Sequence, residues 1–445
     1  MFSLTGEEIT HFLLAMAGLL AVAHILGYIA ERLFIPRVIG EVAAGIVLGP
    51  TLLGYFFPEA FEWLFLGFDT EGKLFGLVYQ IGLLMLMFTA GLKFQAKFER
   101  EDVKITTALV IGSTVPAFIV GWLATYMFQI TPYLGTANNL TSLKLVIAVS
   151  IAITSIPVIS KIMFDLGIIH SRFAKTVISV AGIHDIFLWT AIGVATALAA
   201  QGGEAVSTGF VLKSIFTTVA FIIGALLITT FLFKRLTVIK QNLFFRSSNL
   251  GYFLFIMFLL AVIAGKLNVE TIFGALLAGI AVKVGLPKEL SDRVERGVNN
   301  ISFSWFIPVY FAIVGLQLDL VNHFNPWFFL KYLLFATIVQ TIAVYISARF
   351  VKLDRLSSFN LATAINDRGG PGIVLASVAY GAGIINQEFF AVIVLLALIT
   401  SWIPGTWLRI VVNKGWRLMP GDENLEIQKV SQDDFVVKQN GNGSS

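Results

Sequence analysis

The stretch "INDRGGPGIVL", residues 365–375, decides how the chain is read. Apolar residues flank it on both sides, yet it holds an aspartate and an arginine beside a Gly-Gly-Pro-Gly run that cannot sustain a helix. It is either a loop of a soluble domain or a helix broken inside a membrane. The composition around it settles which.

Of the 445 residues, 57% are hydrophobic and only 13% are charged, against roughly 25% in an ordinary soluble domain. Apolar runs of about 20 residues recur from end to end, each long enough to cross a ~30 Å hydrocarbon layer at ~1.5 Å per residue. The alternating segments of about ten residues that a β-barrel needs are absent. The chain therefore reads as an all-α polytopic membrane protein, in contact with a lipid bilayer. Thirteen spans are expected, at 9–30, 36–54, 74–93, 105–128, 143–164, 172–199, 208–233, 249–265, 269–284, 300–318, 328–350, 359–381 and 388–411. The first run is long and lacks a basic start, so it reads as a retained span.

The loops alternate in charge. Those after odd-numbered spans are basic, as in "KFQAKFEREDVK" (93–104) and "FKRLTVIKQNLFFR" (233–246), and the last span runs into "RIVVNKGWR" (409–417). Those after even-numbered spans include the acidic "FPEAFEWLFLGFDTEG" (57–72). The positive-inside rule then places the N-terminus outside and the C-terminus in the cytoplasm, with the plasma membrane as the expected location. The net charge of +4 comes from these loops and gives no reason to expect nucleic acid. With no cysteine, disulfides and thiolate chemistry are out of consideration. A transmembrane domain over 1–420 and a polar, disordered tail over 421–445 are expected. A soluble enzyme is excluded by composition, and no cofactor is called for.

Two spans carry breakers. The fifth contains "AITSIPVIS" (152–160), where Pro157 removes a backbone donor just after Thr154 and Ser155; the twelfth contains the opening stretch. Paired broken helices in the two halves of a transporter point to an ion site near the bilayer midplane. Plain kinks are the alternative reading. An ionisable side chain at the bilayer centre costs about 2.5–3.5 kcal/mol on insertion scales, so the few present are informative. They are Glu41 in the second span, His184 and Asp185 in "VAGIHDIFLW" (180–189), and Asp367 with Arg368; His24 lies near the inner edge of the first span.

Asp185 is the leading candidate. A carboxylate in a dry bundle can be neutralised by a proton or by a cation, and making those alternatives exclusive is the minimum machinery for exchange. Neighbours on a helix lie about 100° apart, so His184 and Asp185 cannot address one ligand. His184 is either a second proton carrier or an imidazole held neutral by hydrogen bonds. Thr154 and Ser155 sit where the broken fifth span frees oxygen ligands for a monovalent cation. Arg368 keeps its charge, so it is read as structural or as a charge that repels cations from the empty site. Glu41 is a candidate partner for it.

These residues resemble the second cation/proton antiporter family, the Kef-type and Na⁺/H⁺ exchangers. "IGEVAAGIVLGP" (39–50), "ITSIPVISKIMFDLGII" (153–169), "IPVYFAIVGLQLDL" (307–320, including Asp319) and "NDRGGPGIVLASVAYGAGIINQEFF" (366–390) are similar to the family's segments in the family's order. The resemblance implies crossing discontinuous helices in inverted repeats, a mobile core, dimerisation helices and a homodimer. Asp185 matches the carboxylate that ends the family's Asp-Asp, Asn-Asp or Gln-Asp pair. Two departures bear on stoichiometry: the pair here is His184-Asp185, and Gln340 in "FATIVQTIAVYISAR" (335–349) falls where several electrogenic members carry a lysine. The expected function is exchange of Na⁺ or K⁺ for H⁺ by alternating access. The alternatives are an uncoupled, channel-like K⁺ efflux protein or an exporter on the same fold.

Overall fold

The computed structural model describes residues 4–33, 35–93, 103–200, 241–267 and 269–422, with isolated positions between 209 and 231. The expected seventh span, 208–233, and nearly all of the polar tail lie outside the described residues.

Eighteen α-helices follow one another among the described residues. The first nine are α1 (Gly6–Arg32), α2 (Arg37–Leu48), α3 (Leu53–Phe56), α4 (Pro58–Phe65), α5 (Glu71–Leu92), α6 (Val103–Ala124), α7 (Leu140–Ala152), α8 (Ile156–Asp165) and α9 (Arg172–Ala199). After them come α10 (Leu243–Ser247), α11 (Asn249–Lys266), α12 (Thr271–Gly285), α13 (Lys288–Ile301), α14 (Ile307–Leu316), α15 (Pro326–Phe350), α16 (Arg355–Ile365), α17 (Gly369–Gly381) and α18 (Gln387–Asn413). No strand longer than a single bridge occurs among the described residues. Nine helical segments there are long and apolar enough to cross a membrane, and the expected count of thirteen is not confirmed by that number.

The tenth span differs from its expected range of 300–318. Helix α13 starts twelve residues earlier and joins α14 through a π turn, Ser302–Phe306. The reason is amphipathicity: in "KELSDRVERGVNNI", Ser291, Val294 and Val298 recur at helical spacing and are buried, which continues the helix into the polar region.

The helices pack in two groups. In one, α2 lies against α1 and α14, and α5 against α12 and α14, with α11 beside α12. Glycines permit the closest approaches: a Cβ at Gly91 would stand 2.2 Å from the Leu276 carbonyl oxygen, and one at Gly45 would overlap backbone of α14. We call this group the scaffold. The other group, the core, packs α6 against α7, α9 and α15, and α15 against α16, with α17 beside α18.

Within the core one order occurs twice: a long helix, a broken helix, a long helix. The first set is α6, α7/α8 and α9; the second is α15, α16/α17 and α18. At one end the loops of the two sets join through a Leu134–Ile385 bridge, with Gly135 N–H donating to the Ile384 carbonyl at 3.0 Å. At the other, the backbone N–H groups of Arg172 and Phe173, at the start of α9, donate to the carboxylate of Asp422 at 2.7 and 3.1 Å.

Candidate functional site

Both expected breaks are present. Helix α7 ends at Ala152, residues 153–155 are extended, and α8 begins at Ile156 with Ser155 as its N-cap and Pro157 in its first turn. Proline is tolerated there because the N–H it lacks would have had no intrahelical partner. Helix α16 ends at Ile365, residues 366–368 leave the helix, and α17 starts at Gly369 with φ +35°.

The breaks touch. Ser155 N–H donates to the Asp367 carbonyl at 2.6 Å, and the Thr154 hydroxyl donates to the Ile365 carbonyl at 2.5 Å. A Cβ at residue 369 would stand 2.6 Å from Ser155 Oγ, so only glycine fits both the left-handed backbone and the crossing.

Two helix C-termini and two N-termini meet here, each with unpaired backbone groups and a partial charge. Arg368 serves the carbonyl ends. Its Nε donates to Ser150 O at 2.7 Å, and its Nη2 to Ile151 O at 3.1 Å and Ala336 O at 3.0 Å. Its Nη1 donates to Asn366 O at 3.2 Å and Asn366 Oδ1 at 2.7 Å. All five guanidinium N–H groups are thereby engaged. The buried cation is matched by carbonyl dipoles. Asp367, also buried, stands beside the N-terminal ends, with Ser401 Oγ 2.7 Å from its Oδ1.

Glu41 does not pair with Arg368. Its Oε1 accepts from Arg37 Nε at 2.8 Å, one turn earlier on α2, and Arg37 Nη2 donates to His24 Nδ1 at 2.6 Å. The expectation fails because Arg368 has no N–H left to offer, while Arg37 is an (i, i+4) neighbour. Asp319 is likewise remote from the breaks: it accepts from Asn322 N–H at 2.9 Å in the turn after α14.

His184 and Asp185 leave α9 in different directions. Buried His184 bridges α6 to the first break, with Nδ1 3.0 Å from Thr154 Oγ1 and Nε2 2.9 Å from Ser113 Oγ. Since Thr154 gives its own proton to Ile365, its oxygen accepts from His184 Nδ1–H, while Nε2 faces a Ser113 hydroxyl that also lies 3.3 Å from the Val110 carbonyl. The Thr154 hydroxyl joins the breaks, whereas the Ser155 hydroxyl caps α8, accepting from Val158 N–H at 3.5 Å.

Asp185 is half-buried, and its Oδ1 is sealed from solvent with no hydrogen-bond partner among the described residues; the Oδ2 of Asp367 is likewise unpartnered there. A buried carboxylate oxygen without a partner is strongly disfavoured unless a proton or cation joins it. Gln340 on α15 is also fully buried, with both side-chain polar atoms unpartnered among the described residues. Sequence reasoning passed over Ser113, Asn366 and Ser401; small polar residues inside apolar runs were the available signal.

A helical membrane bundle with two discontinuous helices crossing beside an unpartnered carboxylate defines a secondary-transporter core. Residues 19–414 match the family described as "Sodium/hydrogen exchanger, transmembrane", and the chain belongs to that family. It is 29% identical over 438 residues to K⁺/H⁺ antiporter 1 of Saccharomyces cerevisiae, covering 93% of this chain but 48% of that protein. It is 26% identical to the Na⁺/H⁺ antiporter NhaS4 of Synechocystis, covering 88% of this chain and 95% of the relative. The Na⁺/H⁺-K⁺ antiporter GerN of Bacillus cereus is 25% identical, covering 89% of this chain and 95% of the relative. The fold matches that of the sodium proton antiporter MjNhaP1 of Methanocaldococcus jannaschii with a TM-score of 0.63 at 14% identity, covering 91% of this chain and 99% of that one.

Proposed function

We propose that the protein is a secondary antiporter exchanging a monovalent cation, Na⁺ or K⁺, for H⁺, with Asp185 binding proton and cation in turn. The observation that carries this reading is the unpartnered Oδ1 of Asp185, placed by its neighbour His184 at the level of the crossing breaks. The relatives' names agree on monovalent cation/proton exchange and divide between Na⁺ and K⁺.

In this reading Asp185 meets its ligand from the open side of its half-buried surface. Carbonyl oxygens of the extended residues 153–155 are the further oxygen ligands, since the Thr154 and Ser155 hydroxyls are already engaged. The core then moves against the scaffold to present Asp185 to the other side, and the scaffold helices also pair two copies into a homodimer. The N-terminus lies outside the plasma membrane and the C-terminus in the cytoplasm, as the charge of the loops directs.

One carboxylate with no titrating amine gives a one-for-one, electroneutral cycle. In this reading His184, between Thr154 and Ser113, carries no second proton, and an amide stands at Gln340. The test is cation-driven proton flux in proteoliposomes across Li⁺, Na⁺, K⁺ and Rb⁺. A cation current without proton counter-flow would identify a channel instead.

A further inference from the structure

We propose that Trp189 is a positioning residue for Asp185: its indole N–H donates to the carboxylate in the moment when that carboxylate holds neither proton nor cation. The proposal rests on the reading of Asp185 as the exchange carboxylate. The two residues lie four apart on α9, so they share a face one turn apart. Long helical side chains lean toward the N-terminus, which lays the Trp189 ring over the turn that carries Asp185.

Trp189 is 2% exposed, and its Nε1 has no hydrogen-bond partner among the described residues; nor has Asp185 Oδ1. A buried donor and a buried acceptor thus stand unpaired on adjacent turns of one helix face. Each is costly to leave so, and pairing would relieve both. Of the charged and titratable groups around them, His184 points to Thr154 and Ser113, Arg368 donates to carbonyls and Glu270 at the head of α12 bonds Thr196. Asp367 meets Ser401 through Oδ1 and leaves Oδ2 unpartnered among the described residues, but as an acceptor it offers Asp185 no donor. The ring of Trp189 rests edge-on against Phe273 of α12, with centroids 6.2 Å apart. Its position is therefore tied to the contact between core and scaffold.

Exchange passes through an empty, anionic site. A donor that stabilises this anion weakens proton and cation binding by one factor and speeds the release of each, leaving their competition unchanged. Hydrogen bonds to charged groups are strong enough for that factor to be about tenfold or more.

The test is Trp189→Phe in the full-length protein in proteoliposomes. The Phe273 contact survives this change and the donor does not. At a pH high enough that protons do not compete for the site, the expected result is a fall in the KM for the cation and in kcat together, each about tenfold, with kcat/KM within about twofold of wild type. Trp189→Gln, which restores an N–H donor without the ring, should return KM toward wild type. A Trp189→Phe variant with unchanged KM and reduced kcat/KM would overturn the proposal, leaving the ring as packing alone; so would a Gln variant that behaves like the Phe one. Asp185→Asn is assayed beside them. Exchange persisting there would overturn the site reading itself, whereas an inactive Asp185→Asn with either adverse Trp189 result would overturn this proposal alone.

Discussion

Replacing Arg368 by lysine keeps the charge and removes the fork, which isolates the geometric part of its role. The guanidinium makes five hydrogen bonds of 2.7–3.2 Å, from three nitrogens, to four carbonyls and the Asn366 amide oxygen. An ammonium has three donors on one nitrogen, so at least two of these acceptors lose their partner in a fully buried site. Hydrogen bonds to a charged group contribute about 1.5–3 kcal/mol each, which puts the loss at about 3–6 kcal/mol. The four-carbon stem also cannot hold the charge between Ser150 and Ala336 at once. The assay is reversible unfolding of the purified protein by SDS in mixed micelles, with Asp185→Asn as a comparison that leaves the crossing intact. Arg368→Lys should unfold at much lower SDS, and Arg368→Gln lower still, since it removes the charge at the α7 carbonyl end. Arg368→Lys within about 1 kcal/mol of wild type would refute the claim that these bonds hold the breaks together.

Gly369→Ala should abolish exchange and lower stability, because the new Cβ would stand within 2.8 Å of Ser155 and Val158 side-chain atoms at a φ of +35°; normal transport by this variant would mean the crossing relaxes freely. Thr154→Val removes the donor to Ile365 O and the acceptor for His184 Nδ1, and is expected to raise the apparent cation constant about tenfold, the effect of ~1.4 kcal/mol; an unchanged cation dependence would place the ion elsewhere. The reversal point of exchange, measured at clamped potentials, should not move with voltage; a shift that disappears in His184→Gln would identify His184 as carrier of a second proton. Outside the membrane, burial pushes the Asp354 carboxyl up, but bonds from the Ser357 hydroxyl and N–H and the nearby Arg417 outweigh it and hold the group below its usual value of 3.8. A depressed folded value means stabilisation present above the unfolded pKa and lost as pH falls through the folded one. Wild type should therefore melt above Asp354→Asn at neutral pH, and the gap should close in acid below the carboxylate range; a gap independent of pH would assign the effect to another cause.

The spans were legible because a helix in lipid must be apolar over its length, and that leaves a continuous record in the sequence. The two breaks were equally plain, since Pro157 and the Gly369–Gly372 run act through the backbone alone. What could not be read was partnership. Glu41 was matched with Arg368 on charge, whereas Arg37 reaches it by helical spacing and Arg368 turns to carbonyls that carry no sequence signature. The roles of Ser113 and Ser401 were hidden for the same reason: a serine in an apolar run is tolerated on many faces, and only the packing of α6 on α9 and of α18 on the second break gives these two a partner. The helical extension of the tenth span was missed because its first turns, "KELSDRVERG", are charged, and their amphipathic period weighed less than their polarity.

The central claim is that one carboxylate alternates between proton and cation. Its most direct test is proton movement driven by an imposed cation gradient in proteoliposomes, comparing wild type with Asp185→Asn at equal amounts of folded protein. An amide matches the carboxyl in shape but holds no net charge, so neither ligand can neutralise it in turn. Asp185→Asn should show no cation-driven proton movement above protein-free vesicles, with its SDS unfolding curve at or above that of wild type. Coupled exchange at a near wild-type rate in this variant would contradict the claim.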